Sequence, residues 1–351
     1  MTIPQQLLPY LKYAPVAALL FGLAFDIFTL DKPDALFENV VIIGYLTLSA
    51  VAMAALQSDI GKATEGRRIF LLSTLQFSFG NLASALMVLY ARSGTFAGGA
   101  IFVGMLALLF LSNELLRDRY ARTHLRVVIW FVLLLTYSTL IVPVYLGAMG
   151  LFAFAVSVFL ALGVTLLLVF LLSIITYASF NEHAHKITTS IVITTTAFVG
   201  LYFLNLIPPV PLALKHVGIY HSVVAAEGSY SVTYEPPAWY EFWRDTNRVY
   251  TQQAGAPAFC FSSVYAPSAL ETEIRHRWEK YDEVQDEWIT VARIPFPILG
   301  GREQGFRGYT QTSQIREGRW RCSVETSRGT LVGRTTFTVI QGIPSLEETS
   351  F

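Results

Sequence analysis

Charge is scarce in this sequence. Only 14% of its 351 residues are Asp, Glu, Lys or Arg, while 53% are hydrophobic; a water-soluble chain usually has about a quarter charged residues. A net charge is lacking too, since 25 basic residues cancel 25 acidic ones. That removes the electrostatic case for nucleic-acid binding, which needs a cationic surplus. Cysteine appears only twice, which excludes a disulfide-dense scaffold and a multi-cysteine zinc cluster. There is no Gly-x-Ser-x-Gly elbow, His-Glu-x-x-His pair, phosphate-cradling loop or dinucleotide fingerprint. The commoner enzyme classes therefore lose their signatures. A non-enzymatic protein with no cofactor and no metal is the expectation.

What is present divides the chain in two. The mean hydropathy is +0.49, but the charge deficit is uneven: residues 1–210 hold 11 Lys+Arg and 9 Asp+Glu, and the remainder hold 14 and 16. Seven apolar runs, near 14–30, 40–56, 69–90, 100–116, 127–146, 151–177 and 187–207, are long enough to cross the roughly 30 Å hydrocarbon layer as helices. The fifth and sixth are separated only by Gly147-Ala148-Met149-Gly150, which reads as a tight helical hairpin. The first is interrupted by Asp26 and lacks a small-residue cleavage site, so it reads as a retained helix, not a signal peptide.

Connections after the even-numbered spans, with the N-terminal flank, hold nine Lys and Arg, against Lys32 and Arg92 on the other side. By the positive-inside rule the N-terminus is cytoplasmic, and an odd number of spans puts the C-terminal part outside. Within the spans, Asp26, Asn81 and Asn205 are the polar residues that a transporter or membrane-embedded enzyme would use. The bland reading is an interfacial acid and amides bonding to neighbouring helices. Glu182, His183 and His185 make only a weak metal pattern, better read as a solvated loop.

Pro208-Pro209-Val210-Pro211 stops the last helix and opens a linker over 208–216. Beyond it the period becomes that of strands, at 217–226, 229–234, 258–265, 272–281, 288–294, 308–315, 319–326 and 331–340. Ile274, His276 and Trp278 alternate with Glu273, Arg275, Arg277 and Glu279, the mark of one buried and one wet face. Trp320, Cys322 and Val324 alternate in the same way with Arg319, Arg321, Ser323 and Glu325. The fold class expected is an N-terminal all-α transmembrane bundle over 1–207 with a C-terminal all-β, immunoglobulin-like sandwich over 217–342. Residues 343–351 read as a flexible tail.

The stretches Ile207-Pro208-Pro209-Val210-Pro211-Leu212, Gly218-Ile219-Tyr220-His221, Tyr265-Ala266-Pro267, His276-Arg277-Trp278, Gly300-Gly301-Arg302, Gly305-Phe306-Arg307-Gly308-Tyr309 and Gly318-Arg319-Trp320-Arg321 follow one another in a telling order. Val324-Glu325-Thr326, Gly329, Gly333-Arg334 and Phe337 complete it. Together they resemble a bacterial membrane-protein family with a C-terminal domain of unknown function 2914. The resemblance implies a multi-pass protein of the bacterial inner membrane with a periplasmic domain, and supplies no activity.

Three groups outside the spans are candidate binding sites. Arg302, Arg307 and Tyr309 lie in or beside a glycine-rich loop where arginine forks grip carboxylate or phosphate, unless they pair with Glu303 or Glu317. Trp239 and Trp243, with Tyr240 and Phe242, make an aromatic cluster suited to a sugar ring, a membrane interface or a core. His216, His221 and His276 with Glu235 make a site only if they converge. Cys260 and Cys322 form a disulfide or remain two buried thiols. The expected partners are the lipid bilayer and a periplasmic ligand, glycan or envelope protein.

Overall fold

The computed structural model describes residues 22–24, 26–30, 34–58, 64–92, 96–115, 122–175, 177–208, 211–226, 229–239, 241, 246–253, 255–267, 270–299 and 305–351. They fall into a helical unit ending at Ile207 and a strand-built unit, Pro208–Phe351.

The helical unit contains α1 (Leu36–Gln57), α2 (Glu65–Arg92), α3 (Phe96–Leu115), α4 (Thr123–Leu146), α5 (Leu151–Ile175) and α6 (Tyr177–Phe203). Among the described residues five helices are long and apolar enough to cross a membrane: α1, α2, α4, α5 and the Ala184–Phe203 part of α6. The apolar stretch of α3, Gly99–Leu111, is shorter. The first expected span lies mostly outside the described residues, and residues 26–29 of it are helical.

Helix α4 occupies the middle of this unit, with 89% of its apolar window buried. Its neighbours bond to it through single polar atoms. Trp130 Nε1 donates to the Leu46 carbonyl at 3.0 Å, Tyr137 donates to Asn39 Oδ1 at 2.8 Å, and Tyr90 donates to the Thr136 carbonyl at 2.9 Å. At its end Gly147 turns left-handed, with φ of 61°, and the chain reverses into α5. Glycine adopts that conformation without a Cβ penalty.

Among its described residues the second unit has eleven strands: β1 (Ala213–Tyr220), β2 (Ser222–Ala226), β3 (Ser229–Tyr234), β4 (Val249–Gln252), β5 (Ala258–Tyr265), β6 (Glu271–Asp282), β7 (Glu287–Leu299), β8 (Phe306–Thr312), β9 (Gly318–Thr326), β10 (Leu331–Gln341) and β11 (Glu347–Ser350). They form three sheets, ordered β1-β5-β8, β4-β10-β9-β6-β7 and β11-β3-β2. The expected sandwich has two layers; here there are three. Ile219 and Cys260 face the five-stranded sheet, meeting Trp278, Trp320, Cys322 and Phe337. Their neighbours Tyr220 and Phe261 face the opposite way, onto Val223 and Val232 of the small sheet. The middle sheet is thus covered on both sides, and β5 is buried along nearly its whole length.

Cys260 of β5 is bonded to Cys322 of β9, an S–S distance of 2.11 Å across 62 residues of sequence. Closing a loop of that length contributes about 4 kcal/mol in the chain-entropy description. Beside it runs a polar clamp between the same two sheets. His276 on β6 bonds through Nε2 to the Ser262 hydroxyl at 2.8 Å and through Nδ1 to the Thr310 hydroxyl at 3.0 Å, and Trp278 Nε1 donates to Thr310 at 3.0 Å.

Several expectations about boundaries change. The linker read over 208–216 ends early, because β1 begins at Ala213, and the strand read over 217–226 is two, β1 and β2. Strand β7 continues to Leu299, through Pro295 and Pro297. Proline cannot donate to a ladder, but β7 is an edge strand with a neighbour on one side only. The expected flexible tail contains β11, which pairs with β3, while the Phe351 ring lies 5.2 Å from that of Phe261. An aromatic end-residue and a paired backbone hold in place a segment whose Glu-Glu-Thr-Ser sequence gives no hint of order.

Candidate functional site

The expected sites do not coalesce. Arg302 and Trp243 lie outside the described residues. Arg307 and Tyr309 sit on β8, where Tyr309 lies 6.0 Å from Phe259 and 6.4 Å from Tyr230. Trp239 is 91% exposed in a turn. Gly308 is confined by packing, because a Cβ there would meet the Phe296 ring at 2.5 Å.

The three histidines have three separate settings. His221 bonds to Glu235 Oε1 at 2.9 Å and stacks on Tyr250 at 4.3 Å. The same carboxylate takes the backbone N–H of Thr251 at 2.5 Å and its hydroxyl at 2.9 Å. Burial, then the Glu235 charge, pushes the Tyr250 hydroxyl pKa above its ordinary value. His216 meets the Tyr220 hydroxyl at 2.5 Å. His276 is sealed in the core, where burial pushes its pKa down to about 3 and keeps it neutral. Its ring nitrogens and the two cysteine sulfurs supply ligand atoms within 4.8 Å of one another, but the sulfurs are bonded together.

The membrane-type polar residues likewise have local roles. Asn81 donates to the Phe77 carbonyl in its own helix at 2.8 Å. Asn205 has φ of 55° and ends the turn after α6. Asp26 lies beside Ser84, and its buried Oδ2 has no hydrogen-bond partner among the described residues.

A different cluster emerges on the outward face of the five-stranded sheet, the face expected to be wet. Strand register sets Arg334, Ser323, Arg277 and Arg293 side by side across β10, β9, β6 and β7. The adjoining rows pair Arg321 with Glu279 and Glu325 with Arg275. Glu279 and Glu325 are only 2% and 4% exposed, because arginine side chains lie over them. Arg321 grips Glu279 with both arms, at 2.6 and 2.9 Å, and Ser323 donates to the same carboxylate at 3.4 Å. Arg277 Nε lies 3.1 Å from Glu325 and 3.6 Å from Glu279. Charges removed from water this far persist only when paired, so the two carboxylates act as anchors that fix the arginine forks.

The anchors do not balance the forks. Among the described side chains of this face, Arg275, Arg277, Arg293, Arg319, Arg321 and Arg334 stand with Glu273, Glu279 and Glu325, six cations to three carboxylates. Arg293 reaches Glu325 only at 4.0 Å, and the buried Nε of Arg334 has no hydrogen-bond partner among the described residues. Burial and the neighbouring Arg321 and Arg277 charges press the Arg334 pKa down, with Glu279 opposing them. At one end of the face Arg319 lies over Tyr281 and Arg321 over Trp288, each at 4.3 Å, cation–π contacts that restrain the two side chains.

Sequence reading names Arg275, Arg277 and Glu279 as a polar face and stops there. The alternation of charges on two strands was visible; which arginine would lie over which glutamate depends on register, and register is a tertiary property.

No curated protein matches this chain. The solved structure of the Pseudomonas fluorescens alkylpurine DNA glycosylase AlkC bound to DNA containing an abasic site analog aligns with 86% of this chain and 99% of its own. The identity is 9% and the TM-score 0.24, too slight a likeness to bear on fold or function. The match that does bear on the site covers the strands that carry the arginine ladder: residues 271–339 fit the family described as protein of unknown function (DUF2914), and the C-terminal region of this chain carries that domain.

Proposed function

We propose that this chain is a multi-pass protein of the bacterial inner membrane, N-terminus cytoplasmic, that presents its β unit to the periplasm as a binding module. The helices anchor it, and the β unit, read as an immunoglobulin-like sandwich with an added layer, docks an anionic ligand, glycan or envelope protein. The observation that carries this reading is the arginine surplus on a rigid sheet face whose forks are fixed by buried carboxylates. Preorganised forks favour recognition of oxyanions. The acid–base pair nearest to catalytic form, Ser262 with His276, is wholly buried and out of reach of substrate. Binding suits this geometry better than catalysis.

Two measurements test it. A cysteine introduced as Val284→Cys, at a position 95% exposed in the β6–β7 turn, should react with a membrane-impermeant maleimide in intact spheroplasts. Its counterpart His185→Cys should react only after permeabilisation. Labelling in the reverse order would remove the periplasmic assignment. In detergent, the unfolding temperature of the full chain should rise with added polyanion, because a ligand that binds only the folded state stabilises it. No shift with polyphosphate, polyglutamate or a uronate polymer would end the binding proposal.

The buried Oδ2 of Asp26 favours a second reading, in which the helical unit moves ions. Ion flux into proteoliposomes that disappears in Asp26→Asn would establish it; equal leak in both proteins would exclude it.

A further inference from the structure

We infer that the row Arg334–Ser323–Arg277–Arg293 is a docking track for a phosphate-bearing polymer, a proposal that rests on the binding-module reading and specifies its ligand. Ser323 is small and fully buried, so it forms a floor between the forks of Arg334 and Arg277 on the flanking strands. Neighbouring strands lie about 4.8 Å apart, which places these two forks about 10 Å apart with Arg293 one strand further on. The Ser323 hydroxyl meets the Glu279 carboxylate at 3.4 Å, so the oxyanions of a ligand would sit over the outer ends of the arginines that flank it, Arg334 on one side and Arg277 with Arg293 on the other.

The shape of the anion decides between candidates. A planar carboxylate is matched by one arginine fork, side on. The sheet already supplies two such carboxylates: Glu279 takes the two-armed contact of Arg321, and Glu325 lies 3.1 Å from Arg277 Nε, a donor with no hydrogen-bond partner among the described residues. What is left over is spread across strands: Arg334, with a buried donor unmatched among the described residues, and Arg293, with only a 4.0 Å contact. A tetrahedral phosphoryl group offers oxygens in several directions and accepts from forks that do not share a plane. A chain of such groups neutralises the three-charge surplus in one stretch. Charge complementarity of this kind is salt-sensitive where the forks are half exposed, as Arg293 is at 56%.

The experiment uses the full chain in detergent micelles with fluorescent inorganic polyphosphate as the probe and polyglutamate of equal charge as the competitor. Polyphosphate should bind at least about tenfold more tightly than polyglutamate, a difference of about 1.4 kcal/mol. Arg334→Gln with Arg293→Gln should weaken polyphosphate by about tenfold or more, with no loss of unfolding temperature, since neither residue grips a buried carboxylate closely. Arg293→Gln alone, at an exposed position, should weaken it by a smaller factor and guards against a misfolded double variant. Unchanged affinity in both variants overturns the assignment of the track. Polyglutamate binding as tightly as polyphosphate overturns the phosphate specificity while leaving the binding module intact. Failure of every polyanion to bind the unaltered protein overturns both.

Discussion

The two units of this protein bury their residues in opposite senses. In the β unit two of the largest apolar side chains, Trp278 and Trp320, are at most 1% exposed. In the helical unit the most apolar helix, α5, is among the least buried: its window has a hydropathy of 3.0 and is 28% buried, against 2.3 and 89% for α4. Phe159, Leu166, Leu167 and Phe170 all point outward from α5. Water would penalise that arrangement by roughly 1.5–3 kcal/mol for each such side chain left out of an apolar setting. The helical unit is therefore built for an apolar surrounding and the β unit for an aqueous one. Polar groups follow the same inversion. The β unit buries carboxylates under arginine forks, whereas the helical unit ties its helices through uncharged groups, such as Trp130 to the Leu46 carbonyl and Tyr137 to Asn39.

Three perturbations sharpen or break this contrast. The largest effect is expected from Glu279→Gln. It removes the charge that Arg321 and Arg277 share and leaves buried cations unmatched, so the β unit should lose about 3–5 kcal/mol. Chemical unfolding followed by near-ultraviolet tryptophan signals should show the loss, with the helical signal retained. An unaltered midpoint would mean that the ladder does not hold the sheet.

Next comes a cation placed on each exterior. Leu167→Arg on α5 should cost about 2.5–3.5 kcal/mol of membrane insertion. Val224→Arg, equally exposed on β2, should change stability by no more than about 0.5 kcal/mol. Insertion assays and unfolding midpoints read the two values, and equal small effects would dissolve the contrast.

The most gradual change is in acid, where the effect accrues per pH unit. His276 stays neutral in the folded protein down to about pH 3, while the unfolded chain protonates it near 6.5. Between those values the unfolded state binds the extra proton, so stability falls as pH falls, by up to about 1.4 kcal/mol per pH unit. Midpoints measured from pH 7 to pH 4 should show this slope, and His276→Gln should flatten it. An identical slope in the variant would locate the acid sensitivity elsewhere.

Much of the architecture was legible because it is periodic. The apolar runs and the alternation in 272–281 and 319–326 have local causes; the last helix, however, ends at Phe203, with Asn205 left-handed, ahead of the prolines read as its stop. The Gly147 hairpin could be read from four residues. Strands β4 and β11 could not be read, because four-residue polar segments become strands only through partners, β10 for one and β3 for the other. The second cover on the middle sheet was hidden for a related reason: Phe259 and Phe261 alternate with Cys260 and Ser262, so β5 carries two packing faces. For the site, sequence reading put its candidates elsewhere, at Arg302, Arg307, Tyr309, Trp239 and Trp243, and read the arginine strands only as a wet face. Glu279 and Glu325 were assigned to water, and cross-strand arginines withdrew them from it.

Pro295 and Pro297 have one more consequence. Two residues apart, they share a lateral side of β7, and pairing with β6 that is regular from Ala292 to Leu299 makes that side the free one. A foreign strand arriving there would find two amide donors missing where it needs them, so the sheet cannot be lengthened from this rim. The rim beside the arginine track is thereby closed to self-templated stacking, which leaves the track open to ligands without making it a seed for fibrils.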